Sequence, residues 1–418
     1  MVRRTLLVLL SALGLSACAP TGFITPGTSG QPTGLYSRGG SSIAPESRKL
    51  SILLPLSGPL APIGQSMLQA AELVLDTPGS PPYKAFDTGG TPSGAVTAAN
   101  EAVSYGAGLI LGPLTSGDTA AAAPVALKAN IPMLAFTNDE SQARPGVWVL
   151  GITPAQQVRR LVAALQSGGK TRIAALLPEN DFGSAMQAAL QSAASAAGDP
   201  PPSIQSYSEG IGAINDAVRA VSDYADRRGP IDAEIRAARA LDNAAGRARM
   251  AELMREPVPP PPFDALLLAA TGTDLQEIAA FLPYYDVNPG PVQIVGPILW
   301  QDPAVRRGAP LGGAWYAAPD PASRQQFADA YAAKYGNPPP ALADLAFDAA
   351  ALARALAQGP GYSANALTSP SGFSGADGLL ALRPDGRVVR GLAVFAIGPG
   401  GEATVLDPAP TTLAGTGT

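Results

Sequence analysis

The chain has no histidine in 418 residues. Without imidazole it lacks the usual general base near neutral pH, the Ser-His catalytic pair and the commonest metal ligand. Cysteine is nearly as scarce. Cys18 stands alone, which excludes an internal disulfide and a cysteine cluster for zinc or iron-sulfur. Charged residues make up only 15% of the chain, and the net charge of -5 comes with no long basic run, so nucleic acid is not an expected partner. No Gly-x-Ser-x-Gly elbow is present. Ser167 to Thr171 (Ser-Gly-Gly-Lys-Thr) imitates part of a phosphate loop, but Ala164 stands where the first glycine belongs and a helical pattern precedes it. Ser167 and Lys170 also fit Ser-x-x-Lys, without the Ser-Asp-Asn or Lys-Thr-Gly partners that chemistry needs. What remains implies no catalytic residue, no metal and no cofactor.

What is plentiful is apolar residues: 46% hydrophobic content over this length is enough for two sizeable cores. At the start, Arg3 and Arg4 precede the apolar run Leu6 to Leu10, and Leu15-Ser16-Ala17-Cys18 follows. A basic region, a short apolar core and a small-residue cleavage site read as a signal peptide over 1–17. Leu-Ser-Ala-Cys resembles the lipobox of bacterial lipoproteins, which implies acylation of Cys18; an ordinary secretory signal with an incidental cysteine is the rival reading. Ala19 in place of an aspartate favours, by the same resemblance, the outer membrane. Residues 18–48 are rich in Gly, Pro, Ser and Thr and read as a flexible tether with a reach of roughly 30 Å.

From Lys49 to Leu75 one plan appears that the rest of the chain repeats. Ile52, Leu53 and Leu54 form a short apolar run suited to a strand buried on both faces. Ser57-Gly58-Pro59 breaks it, and Ile63, Met67, Ala71 and Val74 then recur at helical spacing. Such a strand, turn and helix point the helix amides back at the turn, where a ligand can be held. Further strands are expected at Tyr83–Phe86, Leu109–Leu111, Met133–Phe136, Val147–Leu150, Ile173–Leu177, Ile204–Tyr207, Ala265–Ala269 and Gln293–Val295, with helical patterns between most of them. The expected fold class is α/β: two doubly wound parallel-sheet lobes with a cleft between them. Between Asp216 and Glu256, eight arginines and eight acidic residues fall within 41 positions. This reads as a helical charged insertion over 212–262, either a solvated cover or a docking surface for another protein. Gly378 to Ile397 reads as a β-hairpin turning at Pro384-Asp385-Gly386, and 408–418 as a disordered tail.

Leu53 to Pro59 (Leu-Leu-Pro-Leu-Ser-Gly-Pro), Leu111 to Ser116, Asn180 to Gly183, Tyr335 to Pro339 and Arg383 to Gly386 occur in an order that resembles type I periplasmic binding proteins of the branched-chain amino-acid binding family. Phe281 to Val287 (Phe-Leu-Pro-Tyr-Tyr-Asp-Val) and Gly372 to Gly378 add a likeness to lipoproteins known as penicillin-binding protein activators. The resemblance implies three crossings between lobes, with 49–151 plus 319–378 in lobe 1 and 152–318 plus 379–407 in lobe 2. It also implies that small polar groups at the strand ends of lobe 1, here Ser57, Thr115, Ser116 and Thr137, hold a ligand carboxylate; the same side chains are equally ordinary helix N-caps. Asp118, in the first turn of the helix after Thr115, already supplies negative charge there. Phe136, Phe182, Thr271 and Trp300 complete the candidate ligand-binding set, Trp300 and Tyr284 or Tyr285 being readable either as cleft aromatics or as core.

Two departures from the amino-acid binders stand out. Phe182 replaces their tyrosine, and Gly296-Pro297-Ile298 has isoleucine where they place an acid for the ligand ammonium. A buried unpaired ammonium costs several kcal/mol, so a free amino acid is a poor ligand. The resemblance therefore implies a non-enzymatic outer-membrane lipoprotein that regulates a peptidoglycan synthase (penicillin-binding protein) by contact. The alternative is the substrate-binding component of an importer, with an ABC permease as partner and a small solute in the interlobe cleft.

Overall fold

The computed structural model describes residues 47–413. The expected signal peptide, Cys18 and the expected tether up to residue 46 lie outside the described residues.

The first sheet is built from β1 (Leu50–Leu54), β2 (Tyr83–Asp87), β3 (Leu109–Leu111), β4 (Met133–Ala135) and β5 (Val147–Val149), in the order β2-β1-β3-β4-β5. All its pairings are parallel, with Leu50 opposite Tyr83 and Leu109. Parallel strands need crossovers, supplied by α1 (Ala61–Leu75), α2 (Pro92–Tyr105) and α3 (Ser116–Lys128). Each begins where the sequence permits: Pro62 in the first turn of α1, and Thr91 and Thr115 capping α2 and α3 through their hydroxyls. Burial on both faces explains why β1, β3, β4 and β5 carry no alternation.

After Leu150 the chain enters the second lobe: α4 (Pro154–Ser167), β6 (Ile173–Pro178), α5 (Asp181–Ala197), β7 (Ser203–Tyr207), α6 (Ile211–Val221), α7 (Tyr224–Ala240), α8 (Ala244–Leu253), β8 (Ala265–Leu268), α9 (Gly272–Phe281), β9 (Gln293–Gly296), α10 (Pro303–Gly308) and β10 (Trp315–Ala318). It then returns through α11 (Pro321–Tyr335), α12 (Ala343–Gln358), α13 (Ala364–Leu367), β11 (Phe373–Gly375), β12 (Gly378–Leu382) and β13 (Val388–Arg390), and crosses again into β14 (Ala393–Ile397) and β15 (Ala403–Asp407). The second sheet runs β15-β14-β10-β9-β8-β6-β7, its last two sequence strands antiparallel to their neighbours.

Four boundaries differ from expectation. The Arg383-Pro-Asp-Gly turn does close a hairpin, with Gly386 N–H donating to Arg383 O at 3.0 Å, but the hairpin is β12 and β13 and stays with the first lobe. Leu380, Leu382 and Val388 share a core with Leu50, Ile52 and α12, so residues 379–390 do not join lobe 2. The charged insertion is shorter than 212–262, because α6 buries Ile214, Ala217, Val218 and Val221 in the core of the second lobe. Only α7 and α8 form a separate arm, with a small core of Ile231, Ala238 and Leu253. Trp315–Ala318 and Ala403–Asp407 are strands that flanking Gly and Pro obscure in the sequence. Finally, the chain beyond Asp407 does not hang free as far as Leu413, which packs on Ala381 and Val389.

Among the described residues no helix is long and apolar enough to cross a membrane.

Candidate functional site

The three crossings, at 150–152, 319–320 and 391–392, leave or enter at the carboxyl ends of the parallel strands in both lobes. Those two edges therefore face each other across the junction, the place where open α/β sheets hold ligands. Side chains tie the crossings together. Arg390 Nη2 donates to Leu150 O at 2.9 Å, Gln156 Nε2 to Val388 O at 2.6 Å and Arg160 Nε to Leu392 O at 2.7 Å.

On the first-lobe edge the four predicted polar residues come together at the ends of β1, β3 and β4, and each is already engaged. Asp87 accepts from the Leu56, Ser57 and Gly89 amides at 2.8, 3.2 and 2.8 Å. Burial works against its charge, but the Ser57 hydroxyl and these amides hold its carboxyl below the usual carboxylate range. Thr115 Oγ1 accepts the Asp118 amide at 3.1 Å and caps α3. Ser116 Oγ donates to Asp139 Oδ2, Gln142 Nε2 donates to the same oxygen at 3.3 Å, and the Ser141 amide to Oδ1 at 3.0 Å. The Asp139 amide in turn donates to Thr137 Oγ1 at 3.1 Å. Burial opposes ionisation of Asp139, yet these hydroxyl and amide donors keep its carboxyl low. Asp118 is wholly buried, and neither of its oxygens has a hydrogen-bond partner of normal geometry. Burial raises its carboxyl, opposed by the facing hydroxyls of Thr115 and Thr88.

Asp139 is the residue that sequence reasoning missed. The pattern Asp-Glu-Ser after Thr137 reads as the cap of a short turn, and it does cap the 3-10 turn Glu140–Gln142; its other oxygen is what meets Ser116.

Two of the candidates belong to the interior. Phe136 is 3% exposed and lies in the first-lobe core, because the strand end that carries it points inward. Trp300 is fully buried; its indole Nε1 donates to Ala270 O at 2.9 Å and its ring lies against Gly296, where an added Cβ would sit 2.3 Å from the ring. Phe182 is half-buried against the α4/α5 core, and Thr271 precedes α9 without capping it. Tyr285 is buried and Tyr284 is 72% exposed. Ser167 ends α4 with its hydroxyl on Ala163 O at 3.0 Å, so the Ser-Gly-Gly-Lys run closes a helix.

Residues 48–200 match the family model described as periplasmic binding protein. Among solved structures, a Rhodospirillum rubrum protein assigned to branched-chain amino acid ABC transport is 20% identical, with a TM-score of 0.66 over 86% of this chain and 100% of that one. The fold is that of a type I periplasmic binding protein. LpoA of Haemophilus influenzae, 16% identical, gives 0.60 over 86% of this chain but only 59% of its own. A solute binding protein of an ABC transporter from Rhodopseudomonas palustris, in complex with 3,4-dihydroxy benzoic acid, gives 0.55 at 16% identity over 90% and 100%. No curated protein matches significantly.

In this type I binding-protein fold the second-lobe edge carries Ile298 directly after Gly296-Pro297. The Ile298 amide donates to Gln157 Oε1 at 2.8 Å, closing the backbone after Gly296-Pro297. One half-buried carboxylate on this edge is Asp274, in the first turn of α9 and close enough to Tyr207 to raise its phenol, after burial, well above the usual range; another is Asp320 after β10, which caps α11 through the Ala322 amide at 2.9 Å.

Proposed function

We propose that this chain is a non-enzymatic, periplasm-facing lipoprotein, anchored through Cys18 in the outer membrane, that regulates a peptidoglycan synthase by protein contact. One observation carries the reading: the Ser116 hydroxyl, which could donate to a ligand carboxylate, is already donated to Asp139, whose amide in turn engages Thr137 Oγ1 as acceptor. A solute carboxylate would have to displace this internal carboxylate before Ser116 could donate to it. The isoleucine after Gly296-Pro297 removes the opposite anchor as well. The likeness to LpoA supports the choice of partner, and the likeness of Phe281 to Val287 to the penicillin-binding protein activators supports it independently of Asp139.

The test is the rate of glycan polymerisation and cross-linking by the synthase encoded in the same genome, with and without the full chain. A stimulated rate with direct binding is expected; no binding and no change in rate would sink the proposal. Lipid anchoring is checked by labelling with a radioactive fatty acid, which Cys18→Ala should abolish.

The second reading, a solute receptor of an importer, rests on the fold and on Asp274, an acid placed at the second-lobe edge. To convert an almost wholly open population to an almost wholly closed one, a solute must favour the closed form by about 5.5 kcal/mol. A thermal-shift panel of amino acids, amides, aromatic acids and muropeptides separates the readings, since a saturable stabilisation by one solute would promote this one.

A further inference from the structure

Tyr284 and Ile211 are large apolar side chains left in water, 72% and 61% exposed. They are neighbours in space. Ile211 opens α6, Tyr284 sits in the 3-10 turn Pro283–Tyr285 that follows α9, and with Ala280, Phe281 and Asn215 they line one open depression of about 590 Å³. A mobile surface tyrosine would mean little. This one is held. Its ring meets Tyr285 edge-on at 5.0 Å and 89°, and Tyr285 meets Tyr224 edge-on at 5.2 Å and 73°. Tyr285 is fixed at both ends, its hydroxyl donating to Asn215 Oδ1 at 2.8 Å and its carbonyl accepting from Arg227 Nη1 at 3.2 Å. The exposed ring thus stands on a buried aromatic that joins α6, α7 and the turn, so little ordering entropy is lost when a partner covers it.

The rim gives the sign of the partner. Glu209, two residues before Ile211, and Asp216, midway along α6, are exposed, and half-buried Glu277 lies one helical turn before Phe281. Arg219, a turn beyond Asn215, is the basic side chain of α6, and Arg227 is spent on the carbonyls of Ser222, Pro259 and Tyr285. An apolar centre with a rigid tyrosine and an acidic border has the anatomy of a protein interface core and rim. It complements a partner segment that inserts an aromatic or aliphatic side chain flanked by Lys or Arg.

We infer that the Ile211/Phe281/Tyr284 depression is the docking surface through which this chain grips a basic, apolar-anchored segment of its protein partner. The inference rests on the reading of the chain as a contact regulator of a synthase.

The test is the affinity of the full chain for that synthase, by biolayer interferometry at 50 and 300 mM salt, for wild type, Tyr284→Ala, Ile211→Asp and the pair Asp216→Lys/Glu277→Lys. Tyr284, Ile211 and Asp216 are exposed and Glu277 is half-buried, so the fold is expected to survive these changes, checked by thermal midpoint. Tyr284→Ala and Ile211→Asp are expected to weaken binding tenfold or more. The lysine pair should slow association and remove most of its salt dependence. If the synthase binds wild type and all variants alike, the docking surface is wrong while the regulator reading stands. If wild type does not bind at all, the regulator reading falls and takes this surface's occupant with it. If wild type self-associates in sedimentation and Tyr284→Ala does not, the depression is a contact between copies, which overturns the assignment to a basic partner.

Discussion

Ser116 donates its hydroxyl hydrogen to the carboxylate of Asp139, and the amide of Asp139 returns a hydrogen bond to Thr137. Twenty-three residues separate the first pair in the chain, and two strand ends bring them together. At Ser116 the place open to a ligand carboxylate is taken by the protein's own Asp139.

Replacing Asp139 by Ala should therefore open that site at a modest cost. Loss of a charge-assisted hydrogen bond costs about 1.5–3 kcal/mol, read as a lower denaturation midpoint. Calorimetric titration with leucine and with 3,4-dihydroxybenzoate is expected to give no heat with wild type and a measurable, Ser116-dependent affinity with Asp139→Ala. Equal binding by wild type and variant would remove the argument that Asp139 blocks the site.

A buried charge cluster lies beside the crossings. Arg390 Nη1 is 3.7 Å from Asp377 Oδ2 and 3.9 Å from Asp348 Oδ2, all three side chains being at most 3% exposed. Asp348 also accepts the Ala376 and Asp377 amides at 2.5 and 3.2 Å. Burial raises both carboxyls, Asp348 to about 6 and Asp377 well above its ordinary value, against the pull of Arg390; Asp344 adds repulsion, and Arg324 offsets it at Asp377. Two acids face one guanidinium, so the folded state holds a proton that the unfolded chain releases near pH 4. Stability from this cluster is complete below that pH and is lost progressively as pH rises through about 6 and above. The melting midpoint should fall between pH 4.5 and 7.5, and Asp377→Asn should flatten the profile. An unchanged slope in that variant would place the proton elsewhere.

Arg390→Met removes the cation and leaves the acids, a change expected to cost about 3–5 kcal/mol near neutral pH and much less at pH 4.5. Denaturant titration at both pH values checks it. Gly375→Ala should be comparably harmful, because its Cβ would fall 2.4 Å from the Asp348 carboxyl.

Trp300→Ala is expected to cost about 3–5 kcal/mol by cavity formation, with no change in synthase stimulation per folded molecule. Stimulation lost out of proportion to stability would return Trp300 to the functional surface.

Arg227 holds the charged arm to the lobe through three backbone carbonyls, of Pro259, Ser222 and Tyr285. Arg227→Ala should raise amide hydrogen exchange across α7 and α8 and leave β6, β8 and β9 protected. Uniform loss of protection would show the arm to be part of the lobe's cooperative core.

How much of this was legible beforehand differs from element to element. Strands such as Leu109–Leu111 and Ala265–Leu268 are readable because burial on both faces demands an unbroken apolar run, and helices such as α4 because a Thr153 cap with Gln156 announces the start. β10 and β15 were not, since a strand of four or five residues beside glycine and proline has no distinctive period. Trp300 was readable as cleft or core and lies in the core, as does Phe136: composition tells that an aromatic ring will be buried or nearly so, not against which wall.

The amino-acid order by itself determined two α/β lobes, the absence of imidazole and thiol chemistry within them, and a polar set at Ser57, Thr115, Ser116 and Thr137, because these follow from local periodicity and residue type. Only the tertiary structure decided that Asp139 closes on Ser116, that β12 and β13 remain with the first lobe, and that Tyr284 stands exposed on a fixed aromatic base. Those are contacts between segments distant in sequence, and their outcome depends on which side chains reach one another first in a packed interior, a competition that no local pattern records.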